Sequence, residues 1–580
     1  MVSRLAAALV ACVLVFSPLC ATVAQPSGAG TLRSIARQYY AWHFQTSPLS
    51  ATRVGVHDYD AEIGSYGAAD FANRNRHMHR TLAALQAIPS STLSLDDQAD
   101  QVILENSIKE ALWHDETQRE WTTDPGQYTA IASDAVYSIM SRNYAPPAQR
   151  LRYVIAREQK IPAMLAQGEG NLLPAHVAPV TAKLAALDTA GAVDFFTKDV
   201  PDAFAGVKDP ALRAQFSSAN AAAIAALKRY LAFVQSSIVP RAHGSYAIGP
   251  VNYAYLERLQ NVTAIPLARL LNVGESALAS DRAAFIAAAK RIDPTRSPQA
   301  VYASLGAQHP AADRILRTAQ NVLTSLVAFI KAHGIIDLPS APIAKVIATP
   351  KFQAQTSFAS MDSPGPLEAR ATEAYYRVTV PDPSWSSRQV HEQLAFLNDY
   401  ALPIISLHEV YPGHYTNYLF NKQAHLSLIR KLNWNPAFGE GWAHYDEQMM
   451  VDAGLGNGDP RYRLAQLALA LQRECRYIVG IEEHTQGMSV AGATTFFMDN
   501  AFMARAPAYR EALRGTQDPL YGYYTLGRLM LLKLRADDRA RLGAAFTLRT
   551  FHDALLSHGD PPIYFLRKMI LGAGDTGSLL

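Results

Sequence analysis

Apolar residues in this chain recur at spacings of three and four, and no segment of strand-like alternation dominates. That pattern commits the chain to helix-on-helix packing, because a helix buries one stripe of its surface whereas a strand buries every second residue. Leu32 to about Leu85 follows the helical pattern, interrupted by the turn-like run Gly55-Val56-His57-Asp58-Tyr59-Asp60. Ala-rich amphipathic segments at Ala219 to Phe233 and Ala277 to Ile292 read as packing helices. The expected class is all-α with at most a small β element. Only Tyr375-Tyr376-Arg377-Val378-Thr379-Val380 is β-branched and aromatic enough for a short strand or extended arm.

With 580 residues, 49% of them hydrophobic and 18% charged, the chain can bury a large core and is too apolar to be disordered. Pro and Gly punctuate it near Pro240 to Pro250 and again through Pro339 to Pro366, where Ser and Thr join them. The second stretch is the expected boundary between an N-terminal helical region, 25–345, and a second helical region, 346–580. A net charge of +3 without a clustered Lys/Arg stripe argues against nucleic acid as a partner.

Arg4 is followed by an apolar stretch from Leu5 to Leu19 and then by the small residues around Thr22, Val23 and Ala24. This is the form of a secretory signal over 1–24, cleaved after Ala24, and it implies a periplasmic or secreted chain with no stable membrane span after cleavage. A lipid anchor at Cys20 is the weaker alternative, since Leu19 is a poor residue just before a lipidated cysteine. Cleavage leaves Cys475 alone, which excludes an internal disulfide and a thiolate metal site. Any metal must then be held by His and carboxylate.

Such groups cluster in Ser406-Leu407-His408-Glu409-Val410-Tyr411-Pro412-Gly413-His414-Tyr415. A helix that carries two zinc-binding histidines normally spaces them by four, so that both rings share one face. Here the spacing is six, which in an ideal helix turns the second side chain roughly 120° away from the first. Pro412 resolves the conflict: it lacks an N–H for the carbonyl of His408, and its ring clashes with that carbonyl. The helix must break there, and Gly413 can adopt dihedrals closed to other residues, so that His414 swings back toward His408. Glu409, adjacent to a ligand, can then take a proton from water activated by the metal.

A third ligand is offered by Pro436-Ala437-Phe438-Gly439-Glu440-Gly441-Trp442-Ala443-His444-Tyr445-Asp446-Glu447. Two His and one Glu from a neighbouring helix form a standard catalytic zinc set with one open position. Glu440 fits that role, and His444 and Glu447, on the same helical face, are rival ligands or residues that orient one. Donors for a developing oxyanion are sought among Arg476, His484, Tyr523, Tyr524, Arg528 and His552.

At these residues the sequence resembles the bacterial family catalogued as domain of unknown function 885, whose members look like zincin-type metallopeptidases. The resemblance rests on His-Glu-x-x-Pro-Gly-His at 408 to 414 and Glu-Gly-Trp-Ala-x-Tyr-x-Glu at 440 to 447. Fainter echoes span the mature chain: Ala51-Thr52 with Gly55 to Asp60, Gly249 to Leu256, Tyr524-Thr525-Leu526-Gly527-Arg528, and Phe551-His552-Asp553. It implies one family-length unit with a large, two-lobed helical peptidase fold around a deep cleft. It further implies Zn2+ on His408, His414 and Glu440, Glu409 as general base, and peptides as substrates. Tyr524 and His484 are the donors expected to assist. The chain departs from the family at Val479-Gly480-Ile481-Glu482-Glu483-His484, which keeps the histidine of a Val-Asp-Thr-Gly-x-His run but loses its Asp. Tyr415 also replaces a common second histidine. Two other readings stand beside the peptidase: a zinc-holding helical scaffold without turnover, and a zinc hydrolase of other amides or of esters.

Overall fold

A computed structural model describes residues 28–350 and 357–580; the expected leader, with Cys12 and Cys20, lies outside them. Helix accounts for 69% of the chain, and the fold is predominantly helical, as the apolar spacing predicts. The sheet is small: β1 (Lys345–Ala348), β2 (Ala359–Asp362) and β3 (Tyr375–Val378), in the order β1-β3-β2. The Tyr375 segment is thus the central strand. It pairs parallel with β1, Lys345 opposite Tyr375, and antiparallel with β2, Ala359 opposite Val378. On its buried face the Tyr376 hydroxyl lies 3.1 Å from Ser406 Oγ, which ties the sheet to the Ala401–Glu409 helix.

One buried apolar cluster gathers Leu49 through Ile238, another joins Trp113 to Ile248 through Leu579, and a third joins Leu32 through Leu112 to Ile429. The helices from Gly249 to His333 thus pack with the part of the chain that bears the histidine motif. The reason is visible where Leu267–Ile292 lies along Pro460–Thr485. Gly274 sits against Tyr477 so closely that a Cβ would fall 2.2 Å from its ring. Pro210–Arg241 is long and apolar enough to cross a bilayer by length and composition. In the fold, its Leu227, Tyr230 and Val234 are buried in the first cluster.

Candidate metal centre

The chain breaks its helix where Pro412 requires. One helix covers Ala401–Glu409 and the next begins at His414 and runs to Gln423. Across the break the Gly413 N–H donates to the Leu407 carbonyl at 3.0 Å. The freed Pro412 carbonyl accepts from Trp442 Nε1 at 3.0 Å, so the motif's own Trp closes the bulge. Gly413 is needed for room: a Cβ there would lie 1.8 Å from the His408 carbonyl oxygen. Its backbone, at φ −68° and ψ −134°, also lies outside the α and β regions that other residues favour. As a result the two imidazole centroids are 4.9 Å apart, at 84°.

Glu440 arrives from the Pro436–Asp452 helix. That helix meets Tyr523–Leu542 at backbone contact, since a Cβ on Gly441 would fall 2.6 Å from the Gly527 Cα and one on Gly527 would fall 1.7 Å from the Ala437 carbonyl oxygen. The glycines of Glu-Gly-Trp and of Leu-Gly-Arg are therefore two sides of one helix crossing, which fixes Glu440 and Tyr524 relative to each other.

Nε2 of His408 and Nε2 of His414 lie 3.5 and 3.4 Å from the same Glu440 oxygen, Oε2. These distances are long for charge-assisted hydrogen bonds. They match the edge of a tetrahedron with about 2.0–2.1 Å bonds to its centre, about 3.3–3.4 Å. Glu440 Oε2 is buried without a hydrogen-bond partner, a state that costs about 1–3 kcal/mol or more unless something cationic answers it. The three residues form a potential metal-holding group, with ligand atoms within 4.8 Å of one another. The donor set, two neutral imidazoles and one carboxylate, suits zinc.

Glu447 takes the other side of His408. Its Oε1 is 2.8 Å from His408 Nδ1, and Arg473 Nη2 is 2.9 Å from the same oxygen. A carboxylate on Nδ1 directs Nε2 toward a metal and raises the basicity of the ring. Burial and Arg473 work against protonation of His408, but Glu440 and Glu447 outweigh them and push its pKa up to about 9. A metal would displace that proton. Glu440 is held well below the carboxylate range: burial raises it, and His414 and His408 overcome this. His444 is enclosed, with Nδ1 3.4 Å from Glu447 Oε2, and burial first and Arg528 second lower it to about 3.

Glu409 accepts the Met361 N–H of β2 on Oε2 at 2.8 Å. Tyr524 stacks toward His408, ring centroids 6.5 Å apart, and its hydroxyl is 3.4 Å from Arg514 Nη2. His484 is bonded elsewhere, Nε2 to the Gly515 carbonyl at 2.8 Å. Arg528 is buried between Glu474 and Asp281, Arg476 is paired in two-pronged fashion with Glu511, and His552 joins Tyr445 to the Ile335 carbonyl. The structure brings together His408, His414 and Glu440, with Tyr524 beside His408 and Glu409 next to it in sequence. Arg473 and the β2 backbone went unnoticed in the sequence; a backbone donor has no residue signature, and only the i, i+3 spacing of Arg473 with Arg476 hints at the former.

The profile of the family described as "Bacterial protein of unknown function (DUF885)" matches residues 48–570. The chain belongs to the DUF885 family. Among solved structures, this DUF885 chain is similar to "a putative lipoprotein of unknown function from Shewanella oneidensis", with TM-score 0.78 and 25% identity over 94% of this chain and 100% of that one. It is also similar to "the putative lipoprotein from Colwellia psychrerythraea", with TM-score 0.79 and 17% identity over 94% of this chain and 99% of that one. No curated protein matches it.

Proposed function

We propose that the protein is a zinc-dependent hydrolase, specifically a metallopeptidase acting on peptides outside the cytoplasm. The observation that carries this reading is the convergence of His408 Nε2 and His414 Nε2 on Glu440 Oε2, with Glu409 one residue from the first ligand. Zinc on these three residues would supply a Lewis acid and lower the pKa of water toward neutrality. Glu409, steadied by the Met361 N–H, is the base that takes the proton and hands it on to the leaving amine. Tyr524, a phenol protonated at neutral pH, is a donor for the developing oxyanion. Glu447 and Arg473 keep the His408 ring in its ligating orientation. The extracytoplasmic location draws on the signal-like N-terminus and on the description of the two similar structures as lipoproteins.

Two measurements test the reading together. Purified mature chain is expected to carry about one zinc by elemental analysis and to lose peptide hydrolysis on chelation, with recovery on zinc addition. Glu409→Gln is expected to retain the zinc while turnover falls about 10²–10⁴-fold. Full activity in metal-free protein overturns the zinc reading; unchanged turnover in Glu409→Gln removes Glu409 as base.

A further inference from the structure

Access to the centre is lopsided: the side chain of His408 is 6% exposed, while His414 and Glu440 are 16% and 19% exposed. On that more open side stands Trp434, 50% exposed, its ring centroid 5.9 Å from that of His414. A lone exposed apolar residue is ordinary. This one is held in place from both sides. Asn433 Nδ2 donates to the Asp560 carbonyl, and Asn435 Nδ2 donates to the Gln260 carbonyl at 2.9 Å. Asn435 Oδ1 also accepts the Phe438 N–H, capping the helix that carries Glu440. The ring itself lies over Gly439, where a Cβ would fall 2.2 Å from indole Cη2, so a side chain before the third ligand would displace the indole from this position. Anchoring the backbone while leaving an aromatic face in water gives up burial and gains a preorganised wall.

We propose that Trp434 determines specificity at this centre: its exposed face takes an apolar, preferably aromatic, side chain of a peptide substrate close to the scissile bond. The inference rests on the peptidase reading, and two independent measurements separate the failure of one from the failure of the other. The probes are penta-alanine and its five single-Phe versions. With zinc-loaded wild type, Phe at one position is expected to raise kcat/KM by roughly tenfold over penta-alanine. That gain should shrink below about twofold in Trp434→Ala and largely persist in Trp434→Phe. Zinc content should be unchanged in both variants, which shows that the centre has survived. In the second measurement, zinc-loaded Glu409→Gln is titrated with the same peptides, and tryptophan emission should respond to the favoured Phe peptide but not once Trp434→Phe is added. An equal Phe preference in wild type and Trp434→Ala overturns the proposal while leaving the peptidase standing. If wild type cleaves none of the six peptides, the peptidase reading fails for this class. Emission then decides alone: a Trp434-dependent response upholds the side-chain site and its absence overturns it.

Discussion

Two clusters in this molecule join histidine to carboxylates from distant parts of the chain, and they differ in how completely they satisfy themselves. In the first, His57 Nδ1 meets Asp60 at 2.9 Å and Nε2 meets Glu368 at 2.9 Å, while the ring stacks on Tyr144 with centroids 3.7 Å apart. Asp60 in turn accepts from Thr52 at 2.6 Å and from Tyr144 at 2.5 Å. In the second, Glu440 Oε2 and His414 Nδ1 are buried without partners, and both Nε2 atoms face one oxygen. A buried polar group left unpaired is costly, so the second cluster has room for a cation to complete it, while the first is complete without one. Residue types alone do not distinguish a clamp from a candidate metal centre; the fate of each lone pair and proton does.

The difference is sharpest when each cluster loses a carboxylate that holds a histidine. Glu447→Gln weakens the hold on His408 Nδ1, and zinc affinity is expected to fall about 10–100-fold by competition with a chromophoric chelator. Asp60→Asn, the parallel change at His57, is expected to lower thermal stability and leave zinc affinity unchanged. Equal zinc affinities for wild type and Glu447→Gln would remove Glu447 from the centre.

Glycine substitutions sharpen the comparison at smaller amplitude. Gly55 has φ +94°, and its Cβ would meet the Glu368 backbone nitrogen at 2.3 Å; Gly413 sits against the His408 carbonyl. Alanine at either position forces backbone apart, at about 1–3 kcal/mol by the usual cost of overpacking. Only Gly413→Ala should also lower zinc affinity, because it pushes His408 and His414 apart. A zinc titration and a melting curve on both variants check this; loss of zinc affinity in Gly55→Ala would mean the two clusters are coupled.

Much of the centre was readable because its geometry is local. Pro412 and Gly413 lie between the two histidines, so a six-residue spacing carries its own explanation, and Glu440 with Glu447 shares one helical face. Glu447 emerges from its two offered roles as the residue on His408 Nδ1. Contacts made across the chain were not readable. Glu368 is remote from His57 in sequence, Arg473 reaches Glu447 from another helix, and the donor to Glu409 is a backbone N–H on a four-residue strand. Trp434 escaped notice because an aromatic between two asparagines reads as a surface loop until its neighbours are known. The packing of the helices from Gly249 to His333 with the histidine-bearing part of the chain was likewise hidden, because helical periodicity says which face is buried and not which partner buries it.

The smallest effect is the most specific to the first cluster. Burial disfavours a charged His57, yet the hydrogen bonds it donates to Asp60 and Glu368 prevail, and its pKa is raised above the ordinary 6.5. Burial also acts to raise Asp60 and Glu368; His57 with Thr52 and Tyr144 lowers the former, and the Arg370 N–H with His57 lowers the latter, so both end below their ordinary 3.8 and 4.5. Folded His57 keeps its proton where the unfolded chain has lost it, so its contribution is whole below about pH 6.5 and vanishes as pH rises through the raised value. The carboxylates contribute above their ordinary range and lose that contribution as pH falls through their lowered values. The clamp is thus strongest from about pH 4.5 to 6.5 and weakens on the alkaline side. Between pH 6 and 9 the melting temperature of wild type is expected to fall about 1–2 °C further than that of His57→Gln. Both proteins carry the same His408 cluster, so its own pH dependence cancels in the difference. Parallel melting curves across that range would mean that His57 is neutral and that the clamp is held by neutral hydrogen bonds instead of by charge.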